Sequence, residues 1–164
     1  MNTQSLPVYF PDFLEATKKL TASFVNEPNS ELSFRLKAHP LGVLEQFDAP
    51  VRQLPKQIRF ELESRLRQVD LMDSASCSAC QLGLEISLGI VGGVVACAIA
   101  IILAPEALAA SPLIIAAAAF AGIEAATAAT IFLGVIGTFG GIAGIVFAHF
   151  IDAMCQSMNA CPGN

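Results

Sequence analysis

The side chains with the clearest chemical potential are five cysteines, all in the second half of the chain. Cys77 and Cys80 precede a long apolar region, Cys155 and Cys161 follow it, and Cys97 lies inside it. Such pairs can bind zinc, carry out redox chemistry or form disulfides. The second pair lacks the close spacing of zinc ligands, so we predict no metal site. We expect disulfides among the flanking cysteines after export, with Cys97 a small buried apolar residue.

Two kinds of pairing are open for the four flanking cysteines. A compact bundle, or an even number of membrane spans, returns both ends of the apolar region to one side. Cys77 or Cys80 could then reach Cys155 or Cys161 within the roughly 4.4–6.8 Å between Cα atoms that a disulfide requires. Three spans would separate the ends and would allow only the local bridges Cys77–Cys80 and Cys155–Cys161.

Two carboxylates interrupt the apolar region, Glu106 and Glu124, with Pro112 between them. We interpret them as marking the ends of apolar stretches; the alternative is a carboxylate at membrane depth on an ion pathway. The chain has no Ser/His/Asp or Cys/His set that stands out and no glycine-rich phosphate loop with a lysine. We therefore predict a protein that is not an enzyme and uses no cofactor.

Charge divides the chain into two unlike parts. All nine Lys and Arg residues lie within residues 1–67, and residues 1–70 carry nine basic and nine acidic side chains. The net charge of −5 therefore belongs to the remainder, which lacks the basic patch of a nucleic-acid-binding protein. We predict a soluble segment over residues 1–70, a linker over 71–81 and an apolar domain over 82–164.

The first part reads as four short amphipathic helices. Proline, Asp and Asn residues typical of helix ends predict helices over residues 13–26, from 29 or 30 to 39, 41–47 and 55–70. In the last of these, apolar residues recur at helical spacing and charged pairs occupy the other faces.

The second part contains three apolar stretches, residues 86–104, 107–123 and 125–148. The first and third reach the roughly 20 residues that a membrane helix needs. The fold class predicted is all-α, a short N-terminal helical segment followed by an apolar helical hairpin or a three-helix membrane-type bundle. Small residues spaced by three or four predict close helix packing, at Gly89, Gly93, Gly137, Gly140, Gly141 and Gly144.

A family resemblance covers about residues 15–50. It is carried by FVNEP at 24–28, ELSFRL at 31–36, His39-Pro40, Val43-Leu44 and Phe47. This pattern resembles nitrile-hydratase-like leader peptides, which guide modifying enzymes and an exporter to a peptide precursor. The resemblance implies that residues 1–70 are a leader with such partners. It also implies candidates for thioether chemistry at Ser74, Ser76, Ser78 and Ser157. In composition alone, the second half resembles apolar helical bacteriocins.

These features favour a precursor of a secreted, membrane-active, pore-forming helical peptide. One alternative is an integral membrane subunit whose first 70 residues are cytoplasmic, since they hold all the basic residues. Another is a self-assembling filament or shell subunit. No N-terminal signal peptide is evident, so we expect membrane association or secretion by another route. The expected partners are a lipid bilayer and further copies of the chain.

Overall fold

The computed structural model describes residues 6–26, 31–69, 75–103 and 105–161. These residues form ten α-helices and a 3-10 turn (Val51–Gln53) with no strand, so the all-α prediction is confirmed. The helices are α1 (Phe10–Asn26), α2 (Glu31–Ala38), α3 (Pro40–Gln46), α4 (Lys56–Gln68), α5 (Ala75–Gly89), α6 (Val94–Ile101), α7 (Pro105–Leu108), α8 (Pro112–Ala121), α9 (Ala125–Phe139) and α10 (Ala143–Ser157).

The first four helices, α1–α4, lie close to their predicted positions and are called the N-terminal helices below. In α1 the apolar residues Phe13, Leu20 and Phe24 are buried while the lysines are exposed, as its amphipathic spacing requires. The end of α4 is held by Lys37 of α2, whose Nζ donates to the carbonyl oxygens of Arg67 (2.9 Å) and Val69. Because buried and exposed residues follow the amphipathic spacing, that spacing was sufficient to predict these four helices.

Helix α5 occupies the centre of the fold, and its first half lies where we predicted a linker. Residues 75–81, which we expected in a linker, form the first half of this helix, and residues 71–74 lie outside the described residues. Helices α1, α4, α8 and α10 all pack against α5. One cluster of buried apolar side chains includes residues from both parts of the chain. The small side chains of this segment thus fill a crowded interior.

The apolar part, α5–α10, is called the apolar helices below. It contains six helices where three long ones were predicted. Glycines with positive φ lie at three of the breaks between helices: Gly92 (104°) and Gly93 (48°) between α5 and α6, Gly122 (74°) after α8 and Gly140 (85°) after α9. Such backbone angles are open to glycine without steric cost. A uniformly apolar sequence can therefore turn where its length alone predicts a continuous helix.

The lengths of these helices bear on the predicted membrane spans. In the part of the chain that the structure describes, no single helix is both long and apolar enough to cross a bilayer. Two successive pairs satisfy length and composition together, but they are bent, by 76° at Ser76–Gly89 with Val94–Ile101 and by 115° at Pro112–Ala121 with Ala125–Phe139.

Candidate functional site

The most informative surface is the contact between the N-terminal helices and α5. Phe13, Leu20 and Phe24 of α1 are fully or almost fully buried, and α1 packs along α5. From α4, the Cδ1 atom of Leu62 lies only 2.7 Å from the position that a Cβ on Gly89 would occupy. The absence of a side chain at Gly89 therefore lets α4 approach α5 closely.

Charged residues lie beside this apolar contact. The guanidinium carbon of Arg65 lies 4.1 Å from the ring centre of Phe147 in α10, a cation–π arrangement. Glu85 of α5 is largely buried near Arg65 and Glu61 of α4. We call Glu61, Arg65, Glu85 and Phe147 the Glu85 cluster. It joins three helices that belong to both parts of the chain.

Burial dominates the electrostatics of this cluster. Desolvation raises the pKa of the Glu85 carboxyl to about 7, Arg65 partly opposes that rise, and Glu61 adds to it. The Glu85 Oε1 atom is buried without a hydrogen-bond partner among the described residues. An ionised carboxylate is poorly accommodated here, so Glu85 holds its proton to unusually high pH.

Two cysteine pairs lie at disulfide distance, and they join the ends of the apolar helices. Cys77 pairs with Cys161 and Cys80 with Cys155, at Cα separations of 4.5 Å and 5.9 Å. The structure thus has the end-to-end arrangement, because α5 and α10 pack side by side. Cys97 is free and buried, its thiol donates to a carbonyl oxygen of α10, and desolvation raises its pKa to about 11.

Polar contacts reinforce the alignment of α5 with the end of the chain. The Ser76 hydroxyl donates to the carbonyl oxygen of Ala160 at 2.9 Å. The Gln81 amide donates to the carboxylate of Asp152, also at 2.9 Å. These contacts flank the two cysteine pairs, so cross-links and hydrogen bonds hold the same two helices together.

A group of large apolar side chains is exposed on the apolar helices. Large apolar side chains are solvent-exposed on α6 and around the turn between α9 and α10, namely Val95, Ile99, Ile102, Leu133, Phe139, Ile142 and Ile145. We call these seven residues the exposed apolar face. None of them is charged, and Phe139 also stacks on His149 with ring centres 3.7 Å apart.

The six glycines predicted to pack helices fall into two groups. Gly89 faces Leu62, Gly93 faces Glu61 and Phe147, and a Cβ on Gly141 would lie 3.7 Å from Ile101. At the other three glycines an added Cβ would meet no atom of the described residues within 4 Å: Gly137, Gly140 and Gly144. Close helix packing at this second group stays a prediction.

The two predicted intramembrane carboxylates occupy helix boundaries. Glu124 is exposed at the start of α9 and makes no capping hydrogen bond with its side chain. Glu106 belongs to the short helix α7. Across the described ranges, no group of three or more His, Cys, Asp or Glu residues is arranged to hold a metal ion. A role for either carboxylate at membrane depth stays a prediction.

Sequence reasoning missed the Glu85 cluster. The available signal was a single acidic residue in α5 directly before an uncharged stretch, together with Arg65 in a helix whose other charges suggested a solvated face.

No protein-family model, curated protein or solved structure matches this chain. The resemblance to nitrile-hydratase-like leader peptides therefore stays a prediction.

Proposed function

We propose that the chain is a precursor in which the N-terminal helices cover a membrane-active helical domain until they are separated from it. The observation that carries this proposal is the seating of α1 and α4 on α5, which buries large apolar side chains on both sides of the contact. Separation would also expose the apolar side chains of α5 that α1 and α4 now cover. A contiguous apolar surface beyond several hundred Å² is typical of membrane or protein interaction sites.

Charge supports a bilayer as the partner. Residues 94–103 and 125–148, which contain the exposed apolar face, include no Asp, Glu, Lys or Arg, so transfer of this face into hydrocarbon carries no cost of burying such an ion. The net charge of −5 lies wholly beyond residue 70. Anionic lipid would repel this charge, so we expect the released domain to prefer zwitterionic vesicles.

The cysteine pairs support a domain that survives separation. Cys77–Cys161 and Cys80–Cys155 close loops with sequence separations of 84 and 75 residues. Both pairs lie within residues 75–161, so a cut between residues 69 and 75 would leave both intact. The released domain would keep α5 attached to α10 even where other packing rearranges in lipid.

The test is controlled cleavage of the full chain. A protease site placed within residues 70–74 would allow dye release from zwitterionic vesicles to be measured before and after the cut. We expect little leakage from the intact chain and marked leakage from the cleaved chain at dilutions where its two fragments have separated. Equal leakage before and after would contradict a covering role, and no leakage from either form would contradict membrane activity.

A matched pair of substitutions would locate the membrane-binding surface. Ile99→Ser changes a half-exposed residue of the exposed apolar face, whereas Phe34→Ser changes a residue of α2 that is 74% exposed. In the cleaved chain, Ile99→Ser should reduce leakage and Phe34→Ser should leave it unchanged. The same effect from both would argue against the exposed apolar face.

A second candidate function is self-assembly, favoured by the open space at Gly137 and Gly144. Another helix could approach closely there, as at small-residue contacts between helices in membranes. Gly137→Leu should reduce oligomer size in sedimentation velocity, because its side chain would fill the space a partner needs. A monomeric native chain would contradict assembly of the uncut form.

A further inference from the structure

We propose that Glu85 is a proton-controlled latch, which holds the N-terminal helices on the apolar helices in mildly acidic medium and weakens that hold in alkaline medium. This inference rests on the proposed covering role of the N-terminal helices. It concerns how strongly the cover is held, which can be measured without a membrane.

Glu85 lies at the contact between α4 and α5, which must open when the N-terminal helices separate. It lies on α5, one turn before Gly89, where Leu62 of α4 makes its closest approach. Arg65, one turn after Leu62, crosses to the ring of Phe147 on α10. Glu85 therefore lies along the part of α5 on which α4 packs, and separation of α4 would return the buried Oε1 atom of Glu85 to water.

The groups around Glu85 come unequally from the helices packed on α5. Helix α4 brings Arg65 and Glu61. Helix α10 brings the uncharged Phe147, and its Asp152 is engaged by Gln81 one turn away. The charged residues of α1 are exposed, and α8 has no ionisable side chain. One favourable and one unfavourable charge thus face a carboxyl that burial strongly disfavours as an ion.

The direction of the effect follows from proton linkage. Docking of α4 keeps Glu85 dehydrated, so the docked state retains a proton that the separated state would lose at neutral pH. Raising the pH must then favour separation. Among the residues that the structure describes, the Glu85 Oε1 atom has no hydrogen-bond partner to compensate an ionised form, and Glu61 would repel it.

The experiment uses the complete chain, cut within residues 70–74 but otherwise intact. The dissociation constant of the two fragments would be measured by sedimentation at about pH 5.5 and at about pH 8.5. If Glu85 regains its ordinary pKa on separation, the dissociation constant should rise roughly 10- to 30-fold over this interval. A control variant is Glu15→Gln, whose carboxylate in α1 is exposed and pairs only loosely with Lys19 at 3.8 Å.

Two variants are compared with the native chain. Glu85→Gln should remove most of the pH dependence and bind tightly throughout, while Glu15→Gln should behave as the native chain does. A native dissociation constant that does not change with pH, or one that changes equally in Glu85→Gln, would overturn the latch. Should Glu85→Gln not fold, carbon-detected NMR of the native carboxyl decides: its pKa must fall when the fragments separate. Vesicle leakage is measured independently, so failure of membrane activity would not be confused with failure of the latch.

Discussion

Leu62 of α4 points directly at Gly89 of α5, with its Cδ1 atom 2.7 Å from where a Cβ on that glycine would lie. Leu62 is fully buried, whereas Phe60 in the same helix is 76% exposed. The two parts of the chain are thus joined by a fitted apolar contact as well as by the polypeptide connection.

Leu62→Ala should lower the free energy of unfolding by about 2–5 kcal/mol, because it removes buried methyl groups and leaves a cavity. Phe60→Ala is the matched control and should change it by less than about 0.5 kcal/mol. Urea unfolding followed by circular dichroism would measure both. Similar values for the two variants would show that α4 does not depend on this contact.

Gly89→Ala tests the same contact from the other side. Its added methyl group should cost about 1–3 kcal/mol in the native chain, because buried Leu62 must give way. In the Leu62→Ala background the methyl group enters vacated space and should cost much less. A double-mutant cycle would therefore give a coupling energy, and strict additivity would count against direct contact.

Gly83 and Gly137 should respond oppositely to alanine. A Cβ on Gly83 would clash with the ring of Phe120, so Gly83→Ala should destabilise the fold by about 1–3 kcal/mol. A Cβ on Gly137 meets nothing within 4 Å, so Gly137→Ala should be neutral or gain up to about 1 kcal/mol of helix propensity. Thermal unfolding of both variants would check the contrast, and a loss of stability in Gly137→Ala would point to a contact with another chain.

The cysteines predict an uneven pattern of thiol reactivity. In oxidised protein we expect peptide mapping without reductant to recover Cys77 with Cys161 and Cys80 with Cys155. Cys97 should resist alkylation near neutral pH, because it is buried and its pKa is raised to about 11. Denaturant should expose one reactive thiol per chain. Recovery of Cys77 linked to Cys80 would contradict the end-to-end pairing.

Glu85 should also make overall stability depend on pH. The pKa of its carboxyl is about 7 in the folded chain against an ordinary 4.5, so folding favours the protonated form. This contribution is fully present below about pH 4.5, declines as the pH rises and is lost above about pH 7. The change is on the order of 2–3 kcal/mol. Unfolding curves of Glu85→Gln should be flatter over that interval; curves parallel to the native ones would assign the dependence to another group.

The N-terminal helices could be predicted because their apolar residues recur at helical spacing between proline-containing breaks. The apolar helices could not, since a nearly uniform apolar sequence carries little periodic signal. In that part the chain turns where glycines adopt positive φ, at Gly92, Gly93 and Gly140. Length predicted long helices, but steric freedom at single residues decided where they end.

The Glu85 cluster shows that local spacing also fails to predict contacts between helices. The sequence predicted charged pairs on the other faces of α4, and Arg67 does meet Glu63 at 2.7 Å. Arg65 instead lies over Phe147, more than eighty positions along the chain. Charge spacing describes what a helix can do by itself, whereas the partner of a long side chain depends on which surface the helix meets.

The sequence by itself determined the helical class, the division of charge and the placement of cysteines on both sides of an apolar region, because these follow from residue type and local spacing. Tertiary structure alone decided that α5 lies at the centre, that Cys77 meets Cys161 and Cys80 meets Cys155, and that Glu85 lies largely buried near Arg65 of α4. These relationships depend on dehydration and on contacts between residues far apart in the chain. The residues next to a position in the sequence determine neither its burial nor its contacts with distant residues.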